Sequence, residues 1–342
     1  MQTRIYTTET PEAQREAVEA AVRHLADGEP VGLPTETVYG LAADATNEDA
    51  VARIFEAKER PSFDPLIVHL PDKKYVDQVA EIPEETAKVV KSLMNLFWPG
   101  PLTFLLPKKA TIPDIVTSGL PEVAVRLSRD PVFSEIVREF GKPLAAPSAN
   151  RFGRISPTSA TAVNEELHGR IPAIIDGGAC HAGLESTIIR VSEGKPKPVI
   201  TILRPGPVTA EDLKRYGKIE TAPPVGADPE KPEVPGQLPS HYAPTTPLRL
   251  LVSPDEFVPE PDKSYALLSY RGKDKDGYLD LADFVQTAVL SPGSGKLPEA
   301  AVRFFFLLRQ LDRCGADEII AEPVPDRGLG AAIMNRLRRA SA

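Results

Sequence analysis

Eight prolines fall between Ala222 and Pro247, at positions 223, 224, 229, 232, 235, 239, 244 and 247. Each removes a backbone donor and fixes φ, so this stretch can be neither a helix nor a central strand. With Asp, Glu and Lys interspersed, it reads as an extended linker. The chain is thereby divided into a large domain over 1–210, a connection over 211–246 and a small domain over 247–342. Its 342 residues suffice for two cores, since single cores seldom outgrow about 250–300 residues.

Upstream of the linker, Ala17, Val18, Ala21, Val22 and Leu25 recur at helical spacing behind an N-cap-like Thr10-Pro11, predicting a helix over Glu12–Ala26. Similar patterns predict helices over Asn47–Lys58, Glu84–Phe97, Pro131–Phe140 and Ser159–Leu167. Strand-like runs lie at Val31–Leu33, Leu66–Leu70, Leu102–Leu106, Val123–Leu127, Leu144–Ala146, Ile171–Ile175, Ser186–Val191 and Val199–Leu203. Strands outnumber helices and several follow one another directly. The expected fold is α/β, with a mixed, partly antiparallel twisted sheet and flanking helices. In the small domain, strands at Leu248–Val252, Tyr265–Ser269 and Glu318–Ala321 alternate with helices at Pro298–Cys314 and Gly330–Ala342. That order suggests a small parallel α/β, Rossmann-like unit.

A net charge of −8 disfavours a protein that coats nucleic acid nonspecifically. The two cysteines, Cys180 and Cys314, are far apart and form no CxxC, which fits a reducing compartment. The opening Met1-Gln2-Thr3-Arg4-Ile5 lacks a signal-peptide core, and no run of about 18 apolar residues occurs. A cytoplasmic protein without a membrane span is expected.

Polar clusters interrupt the strand pattern. Pro34-Thr35-Glu36-Thr37-Val38-Tyr39-Gly40-Leu41 packs hydroxyls, a carboxylate and a phenol between apolar flanks, which is costly to bury without partners. Taken alone it is equally a strand pattern, because Thr and Tyr favour strands. Lys58 and Arg60 enter a proline-bracketed loop before Leu66-Ile67-Val68-His69. Two cations there complement a helix C-terminus or grip a phosphate chain; His69 by itself reads as a core histidine. Pro147-Ser148-Ala149-Asn150 and Ser156-Pro157-Thr158 supply small hydroxyl and amide groups, equally suited to turns and caps. Arg126, Arg151, Arg154 and Arg204 add loop cations, and Ser186-Thr187 a hydroxyl pair. No Ser-His-Asp set, HExxH or dinucleotide-binding glycine fingerprint occurs. Gly293-Ser294-Gly295-Lys296 fails as a P-loop, because Leu290 stands where the first glycine is needed and Leu297 replaces Ser/Thr. Hydroxyls and cations without a nucleophile–base pair suit chemistry done by positioning and charge stabilisation, above all phosphoryl or nucleotidyl transfer.

In their order, these clusters resemble the threonylcarbamoyl-AMP synthase family in its longer form, with a YrdC-like catalytic domain. The shared motifs are PTETVYGL at Pro34–Leu41, KxRPxxxPLIVH at Lys58–His69, PSAN at Pro147–Asn150 with SPT at Ser156–Thr158, STI at Ser186–Ile188 and LRPG at Leu203–Gly206. SHYAP at Ser240–Pro244 and GLGAAIMNRL at Gly328–Leu337 belong to the longer form. The resemblance implies a nucleotidyltransferase that joins L-threonine, bicarbonate and ATP into threonylcarbamoyl-AMP and pyrophosphate. It implies Mg²⁺ carried by the ATP phosphates, with no protein metal ligands. It also implies tRNA and a threonylcarbamoyl transferase complex as downstream partners. By the same resemblance, Lys58 and Arg60 are catalytic, and Thr37, His69, Arg126, Ala146 and Ser186 hold threonine. Arg60, Asp64, Ser118, Ser148, Asn150, Ser156, Arg204, His241 and Tyr242 surround ATP. The rigid prolines of the linker then either lay His241 and Tyr242 over the nucleotide as a lid or make it a passive tether. Asp64 departs from the Asn that other members often carry. Two other readings stay open here: a non-catalytic RNA-binding module, and an acyl-adenylating enzyme that takes another amine such as serine.

Overall fold

The computed structural model describes residues 2–222, 232–238 and 241–342. Of the linker, residues 223–231 with Pro239 and Ser240 lie outside the described residues, so the Ser240 end of the SHYAP motif is not described.

Local sequence sets most element ends. Helix α1 (Pro11–Ala26) starts where the Thr10 side chain accepts from Ala13 N, and it follows strand β1 (Arg4–Thr7). Next come β2 (Val31–Leu33), β3 (Gly40–Asp44), α2 (Glu48–Lys58, capped by Asn47) and β4 (Ile67–His69). They are followed by α3 (Val76–Val79), α4 (Glu84–Phe97), β5 (Leu102–Pro107), α5 (Asp114–Thr117) and β6 (Glu122–Arg126). Helix α6 (Pro131–Phe140) has Asp130 as its cap and Gly141 as its left-handed stop. The large domain continues with β7 (Leu144–Ala145), α7 (Ala160–Leu167, capped by Ser159), β8 (Ala173–Asp176), β9 (Thr187–Ser192) and β10 (Val199–Arg204). It ends with α8 (Ala210–Leu213) and β11 (Lys218–Thr221).

The linker expected from residue 211 therefore starts later. Residues 210–213 form a helical turn with a Thr209–Asp212 capping box, and Lys218–Thr221 adds a parallel edge strand beside β10. The reason is local: no proline lies between Val208 and Ala222, and Thr209 three residues before Asp212 is a helix-start signal.

These strands form one mixed sheet ordered β1-β8-β2-β3-β7-β4-β6-β5-β9-β10-β11. Five parallel pairs (β1/β8, β2/β8, β4/β6, β5/β9, β10/β11) are mixed with five antiparallel ones (β2/β3, β3/β7, β4/β7, β5/β6, β9/β10) among the described residues. Strand alternation sorts the side chains by face. Val68, Val125 and Ala145 join the main core against helices α2 and α4. Their neighbours Ile67, Ala124, Leu105, Ile188 and Leu203 form an apolar floor on the other face, onto which the linker residue Val234 is buried. His69 and Arg126 share that face, paired with each other across β4 and β6.

The small domain holds β12 (Leu248–Leu250), β13 (Tyr265–Ser269), β14 (Gln286–Val289), α9 (Leu297–Leu311), β15 (Glu318–Ala321) and α10 (Leu329–Ala340). Its sheet is wholly parallel, in the order β12-β15-β13-β14. Its core includes Val38, Ile155 and Leu184 of the large domain, packed with Phe304, Phe305 and Tyr242. No helix among the described residues is long and apolar enough to cross a membrane.

Candidate active site

One cavity lies between the apolar floor, the turns after β2 and β7, and the linker. Its wall includes Thr35, Thr37, Arg60, Ile67, His69 and Arg126 on one side. Ala146, Ser148, Glu185 and Arg204 continue it, and Pro235, Gly236, His241 and Tyr242 close it. Nine of the residues expected at a site thus converge: Thr37, Arg60, His69, Arg126, Ala146, Ser148, Arg204, His241 and Tyr242. His69 and Arg126 are the last residues of β4 and β6, paired in register on the face that the cavity covers.

At one end sits a small polar pocket. Arg126 Nη1 donates to Thr37 Oγ1 at 3.0 Å, and Arg126 Nη2 lies 2.8 Å from Glu36 Oε1. Ser128 Oγ donates to Glu36 Oε2 at 2.5 Å. Burial pushes the Glu36 carboxyl up, but the Arg126 charge and the hydrogen bonds of Ser128 and Arg126 outweigh it and bring the pKa down to about 2. Glu36, which sequence left without a role, is therefore the fixed counter-charge of Arg126. His69 packs on Phe133 with its ring centroid 4.8 Å away. Burial, reinforced by the Arg126 charge, holds its pKa down to about 3, so the imidazole is neutral at physiological pH.

The other end is cationic. Arg60 donates through Nε to Asp64 O and through Nη2 to Pro65 O, and pairs with Asp64 Oδ2 at 2.9 Å. Arg204 binds Ser186 O with Nε and Nη2, Ser186 Oγ with Nη2 at 3.1 Å, and the linker carbonyl of Pro235 with Nη1 at 3.2 Å. Burial lowers the pKa of both guanidiniums from the ordinary arginine value. Neutral oxygens hold Arg204 in one orientation, and carbonyls together with the Asp64 carboxylate hold Arg60.

The six other expected site residues are not among those that line the cavity. Lys58 Nζ donates to Ser148 O at 2.6 Å and Asn150 O at 2.5 Å, so its ammonium holds the turn that presents Ser148. Burial, then the Arg60 charge, pushes its pKa well below the ordinary lysine value. Asn150 Nδ2 ties Arg151 O and Arg154 O. Ser156 Oγ donates to Glu185 Oε1, and Ser186 Oγ shares a 2.7 Å hydrogen bond with Thr103 Oγ1. Asp64 clamps Arg60; burial drives its carboxyl pKa up against the pull of Arg60, Lys58 and Arg204. Ser118 caps α5 in a left-handed conformation (φ 55°).

The linker completes the closure. Tyr242 takes φ 67°, an uncommon conformation for a residue with a Cβ, and its ring lies 4.1 Å from His241. Gly236 is required opposite it: φ is 82°, and a Cβ there would stand 2.4 Å from the Tyr242 hydroxyl. Burial, with the charges of Arg60, Lys58, Arg204 and Arg339, lowers the His241 pKa well below the ordinary value, leaving the ring neutral. Behind Tyr242 stand Phe305 of α9, at 5.7 Å between ring centroids, and the Arg336 guanidinium of α10, 5.3 Å from the ring centroid. Arg336 is fully buried and donates to Glu185 Oε2 through Nε and Nη2 at 3.1 and 3.0 Å. Sequence reasoning missed Thr35 and Glu185. Thr35 lay inside a quoted motif, whereas the partner that explains Glu185 is 151 residues away.

The cavity's carboxylates are committed, Glu185 to Arg336 and the adjacent Glu36 to Arg126. Among the described residues, no group of three His, Cys, Asp or Glu side chains could hold a metal ion. The residues present do not form a protein cage for Mg²⁺.

A family model described as "Telomere recombination" matches residues 23–206, and one described as "Threonylcarbamoyl-AMP synthase, C-terminal domain" matches residues 208–342. A threonylcarbamoyl-AMP synthase of Pyrococcus abyssi is 40% identical over 328 residues, spanning 95% of this chain and 94% of its own. One from Bacillus subtilis is 40% identical over 324 residues, spanning 93% and 90%. The solved structure of Pyrococcus abyssi Sua5 complexed with L-threonine has a TM-score of 0.83 at 36% identity, covering 100% of this chain and 98% of that one. A variant of the same protein, with a histidine and the next tyrosine changed to alanine, has a TM-score of 0.84 at 36% identity, covering 99% and 96%.

Proposed function

The chain belongs to the threonylcarbamoyl-AMP synthase family, a nucleotidyltransferase class, and we propose that its cavity joins L-threonine, bicarbonate and ATP into threonylcarbamoyl-AMP and pyrophosphate. The observation that carries this is the juxtaposition, in one cavity, of a small hydroxyl-lined pocket (Thr37, His69, Arg126, Ala146) and a guanidinium wall (Arg60, Arg204).

In this reading the threonine amine attacks bicarbonate, water leaves, and a carbamate results. A carbamate oxygen then bonds to the α-phosphorus of ATP as the bond to pyrophosphate breaks. Both partners are anionic, so the step needs positive charge already in place. Arg60 and Arg204 supply it, and Lys58 acts by fixing the Ser148 turn beside the phosphates. His69, neutral and with so low a pKa, packs against the amino acid and is a poor base at neutral pH. Magnesium would serve as the counter-ion of the ATP phosphates.

His241 and Tyr242 close over the nucleotide as a lid and keep water from the acyl phosphate. A His241→Ala, Tyr242→Ala variant is expected to form and retain the intermediate poorly. Unchanged synthesis and release rates would remove the lid role. The product passes to a threonylcarbamoyl transferase complex that modifies tRNA in the cytoplasm, a step supported by family membership alone.

The decisive measurement is pyrophosphate release from ATP and bicarbonate, with L-threonine, with L-serine and with no amino acid. Release should depend on L-threonine; equal release without an amino acid would overturn the reading, and equal release with serine would widen the substrate class.

A further inference from the structure

The guanidiniums of Arg60, Arg126 and Arg204 line the cavity, and their surroundings differ in charge. Arg126 has the Glu36 carboxylate 2.8 Å from its Nη2, and Arg60 has the Asp64 carboxylate 2.9 Å from its Nη2. Among the described residues Arg204 bonds only neutral oxygens, those of Ser186 and Pro235. Glu185, which also lines the cavity, is committed to Arg336.

Asp64 is fully buried and does not line the cavity, so it stands behind Arg60. Its carboxylate is not needed to aim that side chain. Arg60 Nε donates to Asp64 O at 3.1 Å and Nη2 donates to Pro65 O at 2.9 Å, and both acceptors are backbone groups that any residue at 64 would keep. Neither carboxylate oxygen of Asp64 has a well-directed hydrogen bond among the described residues. Burial opposes ionisation of this carboxyl, and the charges of Arg60, Lys58 and Arg204 favour it. What the carboxylate adds is negative charge beside Arg60, in a place where little water screens either group.

We propose that Asp64 limits the charge of the nucleotide subsite: its carboxylate offsets the Arg60 guanidinium from behind, leaves Arg204 as the uncompensated cation facing the phosphates, and holds the affinity for ATP and pyrophosphate below what two free guanidiniums would give. The inference rests on the reading that Arg60 and Arg204 face the ATP phosphates. A weaker hold on pyrophosphate favours its release after the nucleotidyl step.

The test measures ATP and pyrophosphate affinity of the full chain by calorimetry. Asp64→Asn and Asp64→Ala are each expected to bind both ligands about tenfold more tightly than wild type. Adenosine, which carries no phosphate, should bind all three proteins alike. A residue needed only to aim Arg60 would give the opposite sign, weaker ATP binding in both variants. Weaker or unchanged binding therefore overturns the proposal, as does an equal gain for adenosine. If Arg204→Gln leaves ATP affinity unchanged, the placement of phosphates on the guanidinium wall fails instead. Removing Asp64 alone leaves buried cations less compensated, so a variant that does not fold is answered by Arg60→Gln combined with Asp64→Asn, which removes both charges of the pair. One neutral pair then replaces another, and ATP should bind within about threefold of wild type. A larger loss would show that Arg60 acts at its full charge and overturn the proposal.

Discussion

His69 is buried, its Nδ1 without a hydrogen-bond partner among the described residues, beside a guanidinium that opposes its protonation. An unfolded histidine takes up a proton near pH 6.5, whereas this one does so only near 3. Between those values the unfolded chain binds more protons, so stability rises with pH across the window and falls as the solution is acidified below about 6.5. One such group contributes at most ~1.4 kcal/mol per pH unit. His241, lowered by burial and by four cations, acts in the same direction. Urea unfolding at pH 7 and pH 5 should show a marked loss of stability for the wild type and a smaller loss for His69→Gln. An equal loss in both would mean that His69 is not the group that titrates. Glu36 adds a lower window: its stabilising charge is present above about 4.5 and is lost as pH falls towards 2.

At the scale of elements, helix α10 carries the small domain's deepest contribution to the site. Arg336 leaves it fully buried, donates to both Glu185 and Pro205 O, and lies over Tyr242. Arg336→Met leaves the Glu185 charge buried and uncompensated and should destabilise by ~3–5 kcal/mol in denaturant unfolding. Adding Glu185→Gln should recover part of that loss, and an additive penalty would show that the two are not coupled. Such a partnership is invisible in sequence, since neither residue carries a local signal for the other. What was legible at this scale followed strong periodicity: α4 and α6 fall on Glu84–Phe97 and Pro131–Phe140, the ranges the spacing predicts. Strand β3 was not foreseen, because Gly40-Leu41-Ala42-Ala43-Asp44 is buried on both faces and shows no alternation. Motif resemblance names fifteen residues, nine of which line one cavity. Which of them face the cavity was not foreseen, because Lys58, Asn150 and Ser156 are turned to backbone carbonyls or a carboxylate by tertiary packing.

At the scale of the whole molecule, the two domains share a buried apolar junction. Val38, Ile155 and Leu184 of the large domain are buried in the small domain's core. Around them, Arg309 pairs with Glu166 at 2.8 Å and donates to Ile155 O at 2.6 Å, and Arg154 approaches Asp312 at 4.0 Å. Helix α9 approaches so closely at Gly183 that a Cβ there would stand 2.4 Å from Ala301 O and from Val302 Cα. These contacts bury groups of both domains that neither could satisfy alone, so heating should produce a single calorimetric transition. Gly183→Ala tests the coupling directly. The new methyl meets backbone rather than a movable side chain, and φ of 70° disfavours alanine, so the variant should lose ~1–3 kcal/mol and push α9 away. Because α9 carries Phe305, which supports Tyr242, threonine-dependent pyrophosphate release should fall with it. Loss of stability with full activity would mean that the role proposed for Tyr242 does not depend on the small domain. Two resolved transitions in the wild type would mean that the shared core does not bind the domains into one unit.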